Sequence, residues 1–177
     1  VNIWTIKKWK AWQEQSNEFG FKFNRRVVKT GFFPNGSGVV IEKGLIVTNF
    51  HVISDAFNQN QELIVENHLG KTVQTKILGF DLEADIAVLG IIDSIDLKPF
   101  KIRKNIDQVK VGESVIAIGN PQGLGQSFSK GIVSAINRTF QDKKGTFIQT
   151  DASINPGNSG GALIDDKGRL LGVVNVI

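Results

Sequence analysis

The chain has 177 residues, of which 41% are hydrophobic, and it contains no cysteine. A chain of this length buries roughly 70% of its unfolded surface, so it can form a core without a metal or a disulfide. The lack of cysteine excludes a disulfide framework, a cysteine nucleophile and a cysteine-ligated zinc or iron–sulfur site. No apolar run reaches the roughly 20 residues that span a bilayer, and the opening VNIWT does not follow the charged-then-apolar pattern of an export signal.

The chain also contains no methionine, so we expect it to be a processed form or a part of a longer protein. Its net charge of +4 is uneven, because residues 1–44 carry eight Lys or Arg against three Glu and the remainder carries thirteen against fourteen acids. The basic stretch around Trp9 and Trp12 admits three interpretations: a nucleic-acid site, a membrane-surface helix with Ile6, Trp9 and Trp12 on one face, or a surface loop or short helix. Charge clusters without a motif are usually solvated faces, so the third is favoured, no nucleic-acid partner is predicted, and membrane association stays open.

Short segments rich in valine and isoleucine follow one another from Gly38 onward, with Gly, Asn and Asp between them at intervals of about ten residues. The predicted strands cover residues 1–5, 39–41, 45–49, 63–66, 73–78, 86–91, 114–118, 131–137, 147–150, 162–164 and 170–176. The turns at 42–44 and 165–168 each end in a glycine, where a left-handed backbone is needed. The pattern predicts an all-β protein.

Six predicted strands precede a connector and five follow it, which predicts two six-stranded antiparallel β-barrels, the second lacking its last strand in this chain. We assign residues 1–93 to the N-terminal barrel, 94–110 to the connector and 111–177 to the C-terminal barrel of one domain. Because an open barrel would leave an unpaired edge, we expect the natural chain to continue past Ile177. The segment 6–23 has helical spacing in places and is interpreted as a loop insertion.

The most informative stretch is GNSGG at residues 157–161, which places one hydroxyl in a backbone of glycines. Glycine lets peptide units turn their N–H groups toward a ligand and lets a second backbone approach closely. Ser159 is therefore a candidate nucleophile, with the N–H groups of Gly157 and Ser159 as donors to an oxyanion. The alternative is a glycine-rich turn with a surface serine, but the longer stretch FIQTDASINPGNSGGALI favours the catalytic interpretation.

A serine hydroxyl needs a base to attack a carbonyl group at neutral pH, and the chain has two histidines. His51 follows the apolar run LIVTN and is the candidate base, because imidazole titrates near neutrality. His68 lies in the polar turn NHLGK, where we expect a solvated side chain. Two histidines, with no cysteine and no carboxylates at ligand spacing, predict neither a metal site nor a cofactor.

The carboxylate that would orient His51 is one of four nearby acids. Asp85 directly precedes the predicted strand 86–91, so its carboxylate can be partly buried, as fixing the tautomer of a histidine requires. Asp81 and Glu83 are expected to face solvent, and Asp55 is expected to cap a helix or a turn. Asp85 is therefore predicted to orient His51.

The order histidine, aspartate, serine is that of the chymotrypsin arrangement, and the chain resembles the protease domain of the HtrA/Deg serine proteases. The resemblance rests on VNIWT, GSGVVI, TNFHVI, DIAVLGI, VGESVIAIGNPQGLGQSFSKGIVSAINR and FIQTDASINPGNSGGALI, which follow the family's order over almost the full length. It implies a chymotrypsin-like fold, a triad of His51, Asp85 and Ser159, and an oxyanion hole formed by the backbone of Gly157, Asn158 and Ser159.

The resemblance also implies ATP-independent cleavage of unfolded or misfolded proteins in protein quality control. It further implies assembly into homotrimers or larger oligomers, in a periplasmic or other extracytoplasmic or organellar compartment. Ile154, with Val174 and Asn175, is expected to line a shallow apolar substrate pocket. Loops near residues 120–126, 138–145 and 153–158 are expected to rearrange between inactive and active states. The family's further loop, last strand and PDZ domains do not follow GVVNVI here, and the stretch between Thr5 and Gly31 matches no shared motif.

Two other classes of function compete with a serine endopeptidase. A catalytically incompetent barrel could act as a chaperone-like or regulatory binding domain, and another acyl hydrolase, such as an esterase, could use the same three side chains. The α/β-hydrolases, however, need a strand-turn-helix at the nucleophile and the order serine, acid, histidine, which this chain does not have. The sequence therefore favours the endopeptidase.

Overall fold

Strands account for most of the regular structure in this protein, for which a computed structural model describes residues 1–16, 22–93, 95–120, 125–140 and 143–175. The strands are β1 (Asn2–Ser16), β2 (Lys22–Ser37), β3 (Val39–Glu42), β4 (Leu45–Thr48), β5 (Glu62–Glu66), β6 (Thr72–Asp81), β7 (Ile86–Ile91), β8 (Ser114–Gly119), β9 (Ser127–Phe140), β10 (Lys143–Thr150), β11 (Ala162–Asp165) and β12 (Leu170–Val173). Helix α1 (Phe50–Asn58) follows β4, and a short 3-10 helix (Ile106–Gln108) precedes β8.

Within the described residues, two antiparallel sheets divide the strands between them. The first sheet has the order β2-β1-β5-β6-β7-β4-β3, and the second has the order β10-β9-β8-β11-β12. The predicted all-β fold is confirmed, and the second sheet has the five strands that the sequence indicated. The first sheet has seven strands instead of six because β2 is an additional strand.

The chain itself joins the two edges of the first sheet. Only Gly38 separates β2 from β3, and its N–H donates to the carbonyl oxygen of Val1 at 2.8 Å. β2 thus pairs with β1, and the chain runs directly on into β3, which pairs with β4. A Cβ at residue 38 would lie 2.7 Å from a methyl carbon of Ile46, so the sheet can curl here only because the residue is glycine.

Apolar and polar side chains alternate along the strands, and the apolar ones form a core behind each sheet. In β6, for example, Val73 is buried while its neighbours Thr72 and Gln74 are exposed. The first core includes Ile3, Ile46, Ile53, Val65 and Leu89, and the second includes Val115, Ala117, Val133, Leu163 and Leu171. A third cluster of Val39, Ala162, Ile164 and Leu170 packs strands of the two sheets against each other. This shared apolar cluster fixes how the sheets meet, and burial of each of its larger side chains, Val39, Ile164 and Leu170, contributes about 1.5–3 kcal/mol.

The interpretation of residues 6–23 as a loop with helical spacing was wrong. Its residues 6–16 continue β1 and its residues 22–23 begin β2, while 17–21 lie outside the described residues. The two strands pair from Asn2 opposite Ser37 to Ser16 opposite Lys22, with a bulge at Asn35 and an unbroken register from Trp4 opposite Pro34 onward. Pairing supplies backbone hydrogen bonds along the whole segment, and this outweighs the spacing of three that Ile6, Trp9 and Trp12 share with a helix.

The two predicted glycine turns are confirmed. Gly44 and Gly168 have φ angles of +82° and +72°, in the left-handed region that glycine adopts without a steric penalty. Helix α1 buries Val52, Ile53 and Ala56 against the first core. Within the described ranges, no helix has both the length and the apolar character needed to cross a membrane.

A cluster of partly buried charges around the buried Asp165 supports the second sheet. The guanidinium of Arg103 donates to Glu113 at 2.6 Å and lies 3.7 Å from Asp165, which also pairs with Arg169 at 2.7 Å. The hydrogen bond from Arg103 lowers the pKa of Glu113. Burial alone would raise the pKa of Asp165, but hydrogen bonds from the backbone and side chain of Arg169 and from the backbone of Lys167 outweigh it and lower the pKa. Both carboxylates are therefore held in their charged form.

Candidate active site

His51 and Asp85 form a short contact at the edge of the first sheet. The Nδ1 atom of His51 lies 2.8 Å from Oδ2 of Asp85. The imidazole is 46% exposed, whereas the carboxylate side chain is 11% exposed. A base that meets substrate must be accessible and the group that orients it must be shielded from water, and the two side chains meet these requirements.

The backbone around Asp85 explains why this pair forms. Asp85 has a φ of +53°, a left-handed conformation that aspartate tolerates better than most residues. Its Oδ1 accepts the backbone N–H of His51 at 3.0 Å, and its carbonyl oxygen accepts that of Phe50 at 3.1 Å. These are two of the amides that the first turn of a helix leaves unpaired. Asp85 therefore caps helix α1 and contacts the imidazole with the same carboxylate.

The competing acids and the second histidine lie elsewhere. Asp81 accepts the N–H of Ala84 at 3.0 Å and is exposed, as is Glu83. Asp55 is exposed within helix α1, and His68 is exposed in the turn between β5 and β6. Of these candidates, only Asp85 contacts His51 in the part of the chain that the structure describes.

Ser159 is buried, at 6% exposure, in a turn shaped by glycines on both sides. Gly157 and Gly160 have φ angles of +99° and +81°. The N–H of Asn158 donates to Asn155 at 3.0 Å and is thus occupied within the turn. Over the described ranges, the N–H groups of Gly157 and Ser159 donate no hydrogen bond to protein. The turn therefore has two backbone donors available for a ligand, and these are the two N–H groups that the glycine pattern had indicated; the backbone of Asn158 was included only by the resemblance.

Ser37 holds this turn against the first sheet, a role that the sequence analysis missed. Its N–H donates to the carbonyl oxygen of Ser159 at 2.9 Å, and its hydroxyl donates to that of Gly157 at 2.8 Å. The same hydroxyl accepts the N–H of Asn120 at 2.8 Å. The only signal in the sequence is a serine between two glycines in GSGVVI, which could not indicate a partner 120 residues away.

Asn49 joins the three segments that carry His51, Asp85 and Ser159. Its amide donates to the carbonyl oxygen of Asp85 at 3.0 Å and accepts the N–H of Gly160 at 2.8 Å. The residue is 0% exposed and directly precedes helix α1, yet its side chain does not cap that helix. Asn49 was also not predicted, because an asparagine before a helix usually indicates a cap.

His51 and Ser159 are brought to the same region but are not bonded to each other. Asn49, two residues before His51, bonds to the residue after Ser159, and a Cβ added to Gly36 would contact both Val52 and the carbonyl oxygen of Ser159. Among the described residues, no hydrogen bond links the side chains of His51 and Ser159. Contacts of this kind are often long in enzymes without substrate.

A cavity of 460 Å³ lies beside the turn and includes all three predicted pocket residues, Ile154, Val174 and Asn175, in its lining. The amide of Asn175 donates to Oδ2 of Asp85 at 3.1 Å, the same oxygen that contacts His51. Its side chain thus supports the carboxylate, a contact that the sequence analysis did not foresee. The loops expected to rearrange near 120–126 and 138–145 include residues 121–124 and 141–142, which lie outside the described residues. Among the described residues, no group of three His, Asp or Glu could hold a metal ion.

Two antiparallel sheets, with a histidine–aspartate pair near a serine in a glycine turn, define the chymotrypsin-like class of proteins. The fold of this chain is of that class. The chain belongs to the trypsin-like peptidase family, since the family model described as a trypsin-like peptidase domain matches residues 36–173.

Named relatives agree with this assignment. The chain is 44% identical over 146 residues to the periplasmic pH-dependent serine endoprotease DegQ of Escherichia coli (strain K12), covering 80% of this chain and 31% of DegQ. It is 40% identical over 153 residues to the chloroplastic protease Do-like 8 of Arabidopsis thaliana, covering 77% of this chain and 34% of that protein. The solved structure of HtrA-type protease AlgW with decapeptide superposes with a TM-score of 0.82 at 34% identity, covering 99% of this chain and 55% of that chain.

These matches confirm the resemblance to the HtrA/Deg serine proteases. The chain spans only about a third of the length of the curated relatives, 31% of DegQ and 34% of the chloroplastic protein.

Proposed function

We propose that this chain is the catalytic part of a serine endopeptidase of the HtrA/Deg type, with His51 as base, Asp85 as its orienting carboxylate and Ser159 as nucleophile. The observation that carries the proposal is the 2.8 Å contact between His51 Nδ1 and Asp85 Oδ2. With Nδ1–H donating to the carboxylate, the Nε2 atom becomes the acceptor for a serine proton.

In the proposed reaction, Ser159 Oγ attacks the carbonyl carbon of a peptide bond while its proton passes to His51 Nε2. The carbonyl oxygen becomes an oxyanion, which the N–H groups of Gly157 and Ser159 would bind, each contributing about 3–4 kcal/mol to transition-state stabilisation. Collapse of the intermediate breaks the C–N bond, and the amine leaves with the proton from His51. Water then attacks the acyl-enzyme by the same route and regenerates the serine.

The proposed chemistry requires His51 and Ser159 to move into hydrogen-bond distance when substrate binds. We place the movement in segment 153–158, which contains the turn of Gly157 and carries Ile154. The pocket that Ile154 and Val174 line is proposed to accept a small aliphatic side chain, since both lining groups are apolar. Asn175 also lines this pocket, but its proposed role is to hold the carboxylate of Asp85 through its amide.

The substrates proposed are unfolded or misfolded proteins, cleaved without ATP in protein quality control. Relatives of this chain are named periplasmic and chloroplastic proteases, so an extracytoplasmic or organellar compartment is proposed as well. The same proposal includes assembly into homotrimers or larger oligomers. It also includes the division into barrels at 1–93 and 111–177 with a connector at 94–110. The alternative, a catalytically incompetent binding domain, is not favoured by relatives that are named proteases.

Turnover of an unfolded protein such as casein by the full-length protein tests the proposal. Ser159→Ala should reduce turnover by about a million-fold, because removing one triad member removes most of the catalysis. The matched control is Ser114→Ala, at an exposed serine in β8 that should have no effect. His51→Ala paired with His68→Ala makes the same comparison for the base.

A fluorophosphonate probe separates the proposal from a binding domain. The wild-type protein should form an adduct at Ser159, and Ser159→Ala should not. The assignment is wrong if Ser159→Ala still turns over casein. It is also wrong if the wild-type protein neither turns over casein nor reacts with the probe.

A further inference from the structure

The hairpin of β1 and β2 extends well beyond the sheet that it belongs to. β1 pairs with β5 only from Asn2 to Ile6, whereas its pairing with β2 continues to Ser16. We call residues 7–16 and 22–31 the distal hairpin. In the described residues its strands pair only with each other, and at about 3.3 Å per residue it extends for about 30 Å. An isolated two-stranded hairpin is only marginally stable in water, so this length suggests a surface that the hairpin binds.

The excess positive charge of the protein lies on the distal hairpin. Residues 7–31 carry seven Lys or Arg and two Glu, and the rest of the chain carries fourteen Lys or Arg and fifteen acids. Two of the lysines are already in ion pairs: Lys8 lies 3.0 Å from Glu62, and Lys22 lies 2.9 Å from Glu14. Both pairs are exposed, so solvent screens them strongly. The strands of the distal hairpin carry all seven of these cations and only Glu14, and their net charge of +6 favours an anionic partner.

Cations and apolar side chains alternate along the strand pair. Lys10 is opposite Val28 and shares a face with it, whereas Ala11 and Val27 are opposite each other on the other face. Val28 is 64% exposed, and Phe32, at the base of the distal hairpin, is 61% exposed. The sequence adds Trp9 and Trp12 to the same stretch of β1. Exposed apolar groups interleaved with cations are the composition of segments that lie in the interface of a membrane.

We propose that the distal hairpin binds the surface of an anionic lipid bilayer, its cations contacting phosphate headgroups and its apolar side chains entering the interfacial region. The choice between a bilayer and a nucleic acid follows from the aliphatic residues. Aromatic rings stack on bases, but a valine gains free energy only by leaving water for an apolar phase. Val28, which is 64% exposed, lies at the centre of the distal hairpin on the face that it shares with Lys10. The proposal does not depend on the catalytic assignment.

Vesicle binding by the full-length protein tests the proposal directly. The protein should sediment with phosphatidylcholine vesicles that contain about 30% phosphatidylglycerol and not with pure phosphatidylcholine, and binding should weaken as salt rises from about 0.1 to about 0.5 M. Each cation near an anionic surface changes the partition coefficient about fivefold, so Lys10→Gln with Arg25→Gln should lower it about 25-fold. The matched control is Lys104→Gln with Lys167→Gln, at two exposed lysines outside the distal hairpin, which should have no effect.

A second variant tests the apolar contribution. Val28→Ser keeps every charge and should lower the partition coefficient severalfold while the salt dependence stays the same. Equal binding by the Lys10/Arg25 pair and its control would overturn the proposal. So would tighter binding to a single-stranded oligonucleotide that Val28→Ser leaves unchanged, which would indicate a nucleic-acid site. A smaller assembly of the Lys10/Arg25 variant by light scattering would also overturn it, because it would show an interface between copies of the chain.

Discussion

Asn49 offers the sharpest test of how the site is assembled. Replacing it by alanine removes two buried hydrogen bonds, of 2.8 and 3.0 Å, but leaves neither partner unsatisfied. The N–H of Gly160 also donates to Val174 at 2.9 Å, and the carbonyl oxygen of Asp85 also accepts from Phe50 at 3.1 Å. At about 1 kcal/mol for each bond and a similar cost for the small cavity, Asn49→Ala should lower the free energy of unfolding by about 2–3 kcal/mol.

The effect on catalysis should exceed this loss of stability. Asn49 aligns the residue after Ser159 with the segment of Asp85, and a displacement of about 1 Å between reacting groups costs on the order of a hundredfold in rate. We expect kcat/KM of Asn49→Ala to fall by about 10- to 100-fold under conditions where the variant is fully folded. Urea unfolding and hydrolysis of a fluorogenic peptide by the full-length protein measure the two quantities separately.

Asn49→Asp provides the matched variant. It keeps an oxygen for the N–H of Gly160 but replaces the N–H that donates to Asp85 with a second acceptor, so it should be at least as harmful as alanine. If Asn49→Ala unfolds at a lower urea concentration and yet keeps a kcat/KM within threefold of wild type, Asn49 stabilises the fold and does not align Ser159 with Asp85.

Three other changes probe separate parts of the molecule. Gly160→Ala should lower kcat/KM by about 100-fold or more, because a Cβ at this position overlaps the carbonyl oxygen of Ser37 and because the φ of +81° is strained for alanine. The control is Gly79→Ala, where an added Cβ has no neighbour within 4 Å. Asn175→Ala should lower kcat by about 10- to 100-fold with little change in KM, because it removes a hydrogen bond to the Asp85 carboxylate. A rise in KM with unchanged kcat would instead show that Asn175 binds substrate and does not support Asp85. The folded protein lowers the pKa of Asp165 from its ordinary value of 3.8, so its ionised form adds stability above about pH 4 that is lost as pH falls through the lowered pKa. The difference in unfolding free energy between wild type and Asp165→Asn should therefore be largest near pH 7 and shrink toward pH 3, and a constant difference would contradict it.

The short buried strands were the part of the fold that local pattern could predict. The strand predicted at 86–91 matches β7 at both ends, and the strand predicted at 114–118 differs from β8 by one residue. Each has valine or isoleucine at positions that face a core, so burial and local preference agree. The same agreement placed His51 and Asp85 at the ends of apolar segments, and the structure brings these two side chains into contact.

Long-range partners were the part that the sequence could not supply. β2 contains Gly31 and Pro34, which locally oppose a strand, and it exists because β1 pairs with it along its whole length. Ser37 and Asn49 act through hydrogen bonds to residues 120 and 111 positions away. Serine and asparagine have many local uses in turns and caps, so nothing in a single sequence distinguishes these two from the others.

The double use of the Asp85 carboxylate makes the backbone amide of His51 a reporter of the site. Whenever the acid swings away from the imidazole it also releases that N–H to water, so the rate at which this one hydrogen exchanges for deuterium measures how much of the time the pair is assembled. Readiness for catalysis is thereby open to measurement in the resting protein, before any substrate is added.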